Sequence, residues 1–153
     1  MRNIQDGHLE FTIEHAVGRL VCTSIGELAS LFDLAQIKAA VISTMQRAGG
    51  EVVVCTDWRK VRVFAPDIAD ALVAMFTVTN RRVLRGGILL GSSNATLGLQ
   101  LERVLHSAHS KARRSFDDPE VMLSWLGEVL TAAELQRAKE FVRQNGKLPP
   151  TQA

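Results

Sequence analysis

Residues 51–58, EVVVCTDW, and the stretch that follows at 65–80, APDIADALVAMFTVTN, decide the fold between them. The first is a short, unbroken apolar run with no polar alternation, the pattern of a central strand buried on both faces. The second reads as a helix, with Pro66 tolerated in the first turn, where no backbone N–H is needed. A doubly buried strand feeding a helix is the repeating unit of a parallel α/β sheet.

Working outward, the unit recurs. VLRGGILLG (83–91) is another strand of the buried type, and NATLGLQLERVLHSAH (94–109) is a helix whose inner face carries Leu97, Gln100, Leu101, Val104 and Leu105. RRSF (113–116) reads as a short strand and DPEVMLSWLGEVL (118–130) as a fourth helix. TAAELQRAKEFVRQNGK (131–147) opens on Thr131 and Glu134, a capping box worth ~1 kcal/mol. On the other side, HLEFTIEH (8–15) alternates Leu9, Phe11 and Ile13 with Glu10, Thr12 and Glu14, the mark of a half-buried strand. Gly18 then turns the chain into RLVCTS (19–24), so the two form a hairpin. In residues 30–50 the period shifts to about 3.6, with Leu34, Ile37, Val41 and Met45 on one stripe. Ser30 and Asp33 cap that helix, and Gly49–Gly50 stops it.

The order β-β-α-β-α-β-α-β-α-α predicts an α/β fold: a mixed sheet of four to five strands, an N-terminal hairpin and helices packed against it. One domain is expected over residues 1–147, with its core at about 8–130, a C-terminal helix at 131–145 and a disordered tail at 148–153.

The chain has 153 residues, 46% hydrophobic and 22% charged, and a net charge of +2, the composition of a globular protein with a real core. No signal-peptide run and no apolar stretch of membrane-spanning length is present, so a cytoplasmic location is expected. Cys22 and Cys55 fall in strands and read as buried, reduced thiols. The segment from Arg59 to Arg114 is basic, with only Asp67, Asp70 and Glu102 against its arginines and lysines. Those bases fall at element ends, where they ordinarily solvate a surface; without a helix-turn-helix or RNP-type pattern, nucleic acid is not the expected partner.

The hairpin, the strand–helix units and the closing phrase RRSFDDPEVMLSWLGEVL together resemble the STAS-like domains related to sporulation anti-anti-sigma factors. Phe116, Asp117, Asp118, Trp125 and Leu126 fit the short strand, acidic turn and helix with which small members of that group close. The resemblance implies a non-enzymatic, bacterial regulatory or signalling module that binds other proteins, with no cofactor. In anti-anti-sigma members a serine after the third strand accepts a phosphate. Here the corresponding connection, CTDWRKVRVFAP, has neither Ser nor Gly, so the phosphorylation switch does not carry over.

Two corners follow strands and are candidate sites, since open α/β sheets bind ligands beyond the carboxyl ends of their strands. The first is Asp57, Trp58, Arg59, Lys60 and Arg62, where Trp beside Arg has the composition of a binding hot spot; the alternative is that Trp58 closes the core. The second is Gly91, Ser92, Ser93 and Asn94, read as a helix N-cap that also offers a small anion the first-turn amides. It lacks the Lys of a phosphate-binding loop and the second Gly of a nucleophile elbow. Glu10 and Glu14 read as solvated carboxylates on an exposed face, and His106 with His109 as a surface pair, so no metal site is expected. The leading reading is a regulatory or adaptor protein whose partner is another protein, with homo-oligomerisation open. The alternative is small-ligand or lipid sensing, with ALVAMFTV (71–78) lining a pocket.

Overall fold

A computed structural model of the chain describes residues 2–6, 9–28 and 30–146. His8 and the expected tail at 148–153 lie outside them. The elements are β1 (Arg2–Asp6), β2 (Leu9–Val17), β3 (Leu20–Ile25), α1 (Leu31–Ala48), β4 (Val52–Trp58), α2 (Pro66–Thr79), β5 (Val83–Leu90), α3 (Ala95–Ser107), β6 (Arg113–Phe116), α4 (Pro119–Gly127) and α5 (Ala132–Asn145). The mixed α/β sheet, the hairpin and the packed helices are those expected from the sequence. The strand β1 extends the sheet to six strands, in the order β1-β2-β3-β4-β5-β6. It pairs antiparallel with β2, Ile4 opposite Phe11, so the β2–β3 hairpin is interior rather than an edge.

From β3 onward the strands run parallel, and each crossover helix carries the chain one strand further in the same direction. Crossovers of one hand that all step the same way place their helices on one face. Accordingly α1, α2 and α3 share a core with Phe11, Val21, Val54, Trp58 and Ile88. The local signals hold at the helix ends. Ser30 Oγ accepts from Asp33 N at 3.1 Å, and Gly49 closes α1 at φ 79°.

The opposite face would be left in water, and it is covered by α4 and α5. Leu20, Cys22, Val53, Cys55 and Leu89 pack there against Met122, Leu126, Ala138, Phe141 and Val142. Cys22 and Cys55 stand in register on β3 and β4, both buried free thiols. Their mutual hydrogen bond and burial push the Cys22 thiol far above its usual range. Helix α4 approaches β5 so closely that a Cβ on Gly87 would meet Met122 Cγ at 2.7 Å.

Helix α5 is also fastened by polar groups. Arg137 grips Glu14 with two hydrogen bonds, Nε to Oε2 at 2.7 Å and Nη2 to Oε1 at 2.6 Å. Glu14 is 6% exposed, which corrects its reading as a solvated carboxylate: the face it occupies lies beneath α5. Glu134 completes the expected capping box with Thr131 and reaches back to accept from Arg19 N at 2.6 Å. A Cβ on Gly18, at φ +55°, would run into that carboxylate, so glycine serves both the turn and the close approach.

Two predictions follow from this seam. Removing the guanidinium by Arg137→Ala leaves Glu14 buried and uncompensated, and should cost about 3 kcal/mol in denaturant unfolding. Burial alone would raise the Glu134 pKa, but hydrogen bonds from Thr131 and Arg19 outweigh it and hold the carboxyl below its ordinary value. A lowered folded pKa stabilises above the unfolded value of about 4.3 and is lost as pH falls through the folded one. Acid titration of stability should therefore lose part of its acid limb in Glu134→Gln, relative to the unmodified chain.

Candidate functional site

Strand alternation sorts the first corner. Along β4, Val52, Val54, Thr56 and Trp58 face the α1–α3 core, whereas Val53, Cys55 and Asp57 face α4 and α5. Trp58 is thus 2% exposed and lies in the core, which corrects its reading as a partner-contact residue. The period of two, carried through to the end of EVVVCTDW, is the signal that places it.

Asp57 is buried as well, at 6% exposure. It accepts from Arg59 N and Nε, each at 3.0 Å, and from Arg59 Nη2 at 2.7 Å. The same Nη2 donates to Val142 O on α5 at 2.8 Å, so the guanidinium sits at a helix C-terminus, where a cation is favoured. The hydrogen bond to Asp57 raises the Arg59 pKa against the opposing effect of desolvation. Asp57 and Arg59 therefore clamp α5 to the sheet. Lys60 and Arg62 remain exposed, and Val63 beside them is 56% exposed.

The 59–65 loop that carries these exposed residues is anchored along its length. Val61 and Phe64 are buried. Gln100 on α3 brackets Phe64, accepting from its N at 3.1 Å and donating to its O at 2.8 Å. Asn94 Nδ2 donates to Val61 O at 3.2 Å.

That last bond joins the two corners. Trp58 and Leu90 are register partners on β4 and β5, and a Cβ on Gly91 would lie 3.2 Å from Arg59 O. Both corners thus share one rim, at the carboxyl end of the parallel strands. Asn94 is the N-cap of α3, its Oδ1 accepting from Leu97 N at 3.1 Å. Ser92 and Ser93 are exposed beside it, at an open cleft of about 590 Å³ that also holds Asp117 and Asp118. Asp118 caps α4 through Glu120 N at 2.9 Å. These carboxylates oppose an anion at the α3 amides. At the other end of the rim, a cleft of about 180 Å³ is lined by Glu10, Thr12, Ser24, Asp57, Arg59 and Lys60.

His106 and His109 are exposed near the end of α3, and no group of three metal-ligating side chains gathers among the described residues. None of their helices is long and apolar enough to cross a membrane. Arg113, counted in sequence among the surface bases, is 8% exposed and inside the core. Its strand is four residues long and only its first residue is fully buried, too little pattern for sequence reading to detect.

Destabilisation separates the two kinds of residue on the rim. Trp58→Ala should cost about 3–5 kcal/mol in chemical unfolding, as a large core side chain does. Lys60→Ala and Arg62→Ala should each stay within about 0.5 kcal/mol.

No protein-family model matches the chain, and no curated protein matches it. Among solved structures it is similar to an uncharacterised protein of the DUF3478 family with a SpoIIAA-like fold, from Shewanella loihica PV-4. The two share 13% identity with a TM-score of 0.58, over 80% of this chain and 98% of that one. At that identity the likeness concerns architecture alone, and it agrees with the resemblance carried by the closing phrase: the chain has the SpoIIAA-like, that is STAS-like, fold.

Proposed function

We propose that this chain is a non-enzymatic regulatory or adaptor module, one domain over residues 1–147, which works in the cytoplasm by binding another protein at the Lys60–Val63 loop. The observation that carries the reading is the anchoring of that loop. Its inward residues are packed and its carbonyls are held by Asn94 and Gln100, while two cations and an apolar side chain project outward. A surface held in one conformation loses little entropy when it docks, which is what makes a stiff loop a good contact. Cations around an apolar tip suit an acidic partner surface with an apolar depression, the charges steering encounter and Val63 filling the contact.

The test is a pull-down of the tagged chain from its native host, repeated with Lys60→Glu/Arg62→Glu. The double variant should melt within a few degrees of the parent and lose a stoichiometric acidic partner. Retention of every stoichiometric partner by that folded variant, or recovery of none by the parent, would remove the adaptor reading.

A further inference from the structure

Helix α5 covers its face of the sheet row by row, and it stops one row short of the rim. The row Glu14–Cys22–Cys55 lies beneath it, with Arg137 on Glu14 and with Phe141 and Val142 packed in one cluster with the cysteines. Two residues nearer the carboxyl ends of the parallel strands, the register joins Thr12, Ser24 and Asp57, which face the same side. Here α5 has reached its last residue, Asn145. The row is left open as the polar cleft of about 180 Å³, which Asn145 also lines.

The floor of that cleft has unused hydrogen-bonding capacity. Thr12 Oγ1 and Ser24 Oγ lie 2.7 Å apart, a contact that uses only one of their two hydroxyl protons. Both residues are half-buried, and the other proton meets no acceptor among the described residues. Asp57 and Arg59 are paired with each other, yet Arg59 Nη1 donates to nothing among the described residues.

The flanks carry charge. Glu10 on β2 and Lys60 just past β4 line the cleft two strands apart, ~10 Å at the usual spacing. Both are exposed, and neither forms an ion pair among the described residues. Since Asp57 and Arg59 neutralise each other, the cleft presents one uncompensated charge of each sign. A simple anion there meets Glu10, and a simple cation meets Lys60. A molecule bearing both charges satisfies the two flanks at once.

We propose that this cleft binds a small α-amino acid with an uncharged polar side chain, its ammonium on Glu10 and its carboxylate between Lys60 and Arg59 Nη1. Both ends then make the strong, charge-assisted kind of hydrogen bond. The spare proton of the Thr12–Ser24 pair donates to an oxygen of the ligand's side chain. At the ~30 Å³ that a water takes up in the liquid, the cleft has room for about six waters, the size of a small or medium amino acid. Its exposed flanks place it at the surface, so entry requires no opening of the core. Lys60 is common to this cleft and the Lys60–Val63 loop, whereas Glu10 plays no part in the loop contact.

The experiment is an amide NMR titration of the full chain with L-serine, L-asparagine and L-glutamine. Saturable shifts centred on Thr12, Ser24, Gly26 and Lys60 are expected with at least one of the three. For the amino acid that binds, two analogues separate the charges: its α-carboxamide lacks the carboxylate, and its deaminated acid lacks the ammonium. Each should bind about tenfold or more weakly. Glu10→Gln, at an exposed position, should weaken the amino acid by about tenfold or more, and Lys60→Gln on the opposite flank by a like factor. Absence of saturable shifts with all three amino acids overturns the proposal. So does binding of either analogue as tight as that of the amino acid, unchanged binding by the folded Glu10→Gln or Lys60→Gln chain, or shifts centred away from the cleft.

Discussion

The structure depends on how the second face of its sheet is covered. Three successive crossovers in one direction put α1, α2 and α3 on the same side, so the opposite surface of β3, β4 and β5 has no helix from that part of the chain. Left in water, Leu20, Val53 and Leu89 would contribute nothing to folding; beneath α4 and α5 they bury hydrocarbon at about 25 cal/mol per Å². The polar seam around α5 sets its position: Glu14 with Arg137, Glu134 with Arg19, and Asp57–Arg59 with Val142. Each joins residues far apart in sequence, and each restrains the helix at a different point along its length.

That covering determines which groups are available for binding. Arg59 is committed to holding the end of α5, with Asp57 as its ion-pair partner, although both still line the cleft at the rim. The surface that remains is a loop fixed from behind by Asn94 and Gln100, which are themselves elements of α3 and its cap. The loop and Arg113 lie in different parts of the molecule, the loop at the carboxyl ends of the parallel strands and Arg113 at the start of β6.

Much of this was legible in the residues because the information is local. An unbroken apolar run, a change of period from two to 3.6, a capping serine before α1 and a capping box before α5 all act within a few residues. They place the elements and, through the handedness of crossovers, most of the architecture. The first strand was not legible: RNIQD shows neither alternation nor an apolar run, and it is a strand because β2 offers it an edge. Trp58 was half legible, since alternation along β4 points it inward while its charged neighbours suggest a surface.

The sequence by itself determined the helices, the parallel strands, the hairpin and the STAS-like order, because propensity, periodicity and capping are properties of neighbouring residues. Only the tertiary structure decided which charges are exposed. Glu14 and Arg113 look like surface residues until a helix from elsewhere in the chain closes over one and a core forms around the other. Burial is set by what packs against a residue across the fold, and that distance is not written in its own segment.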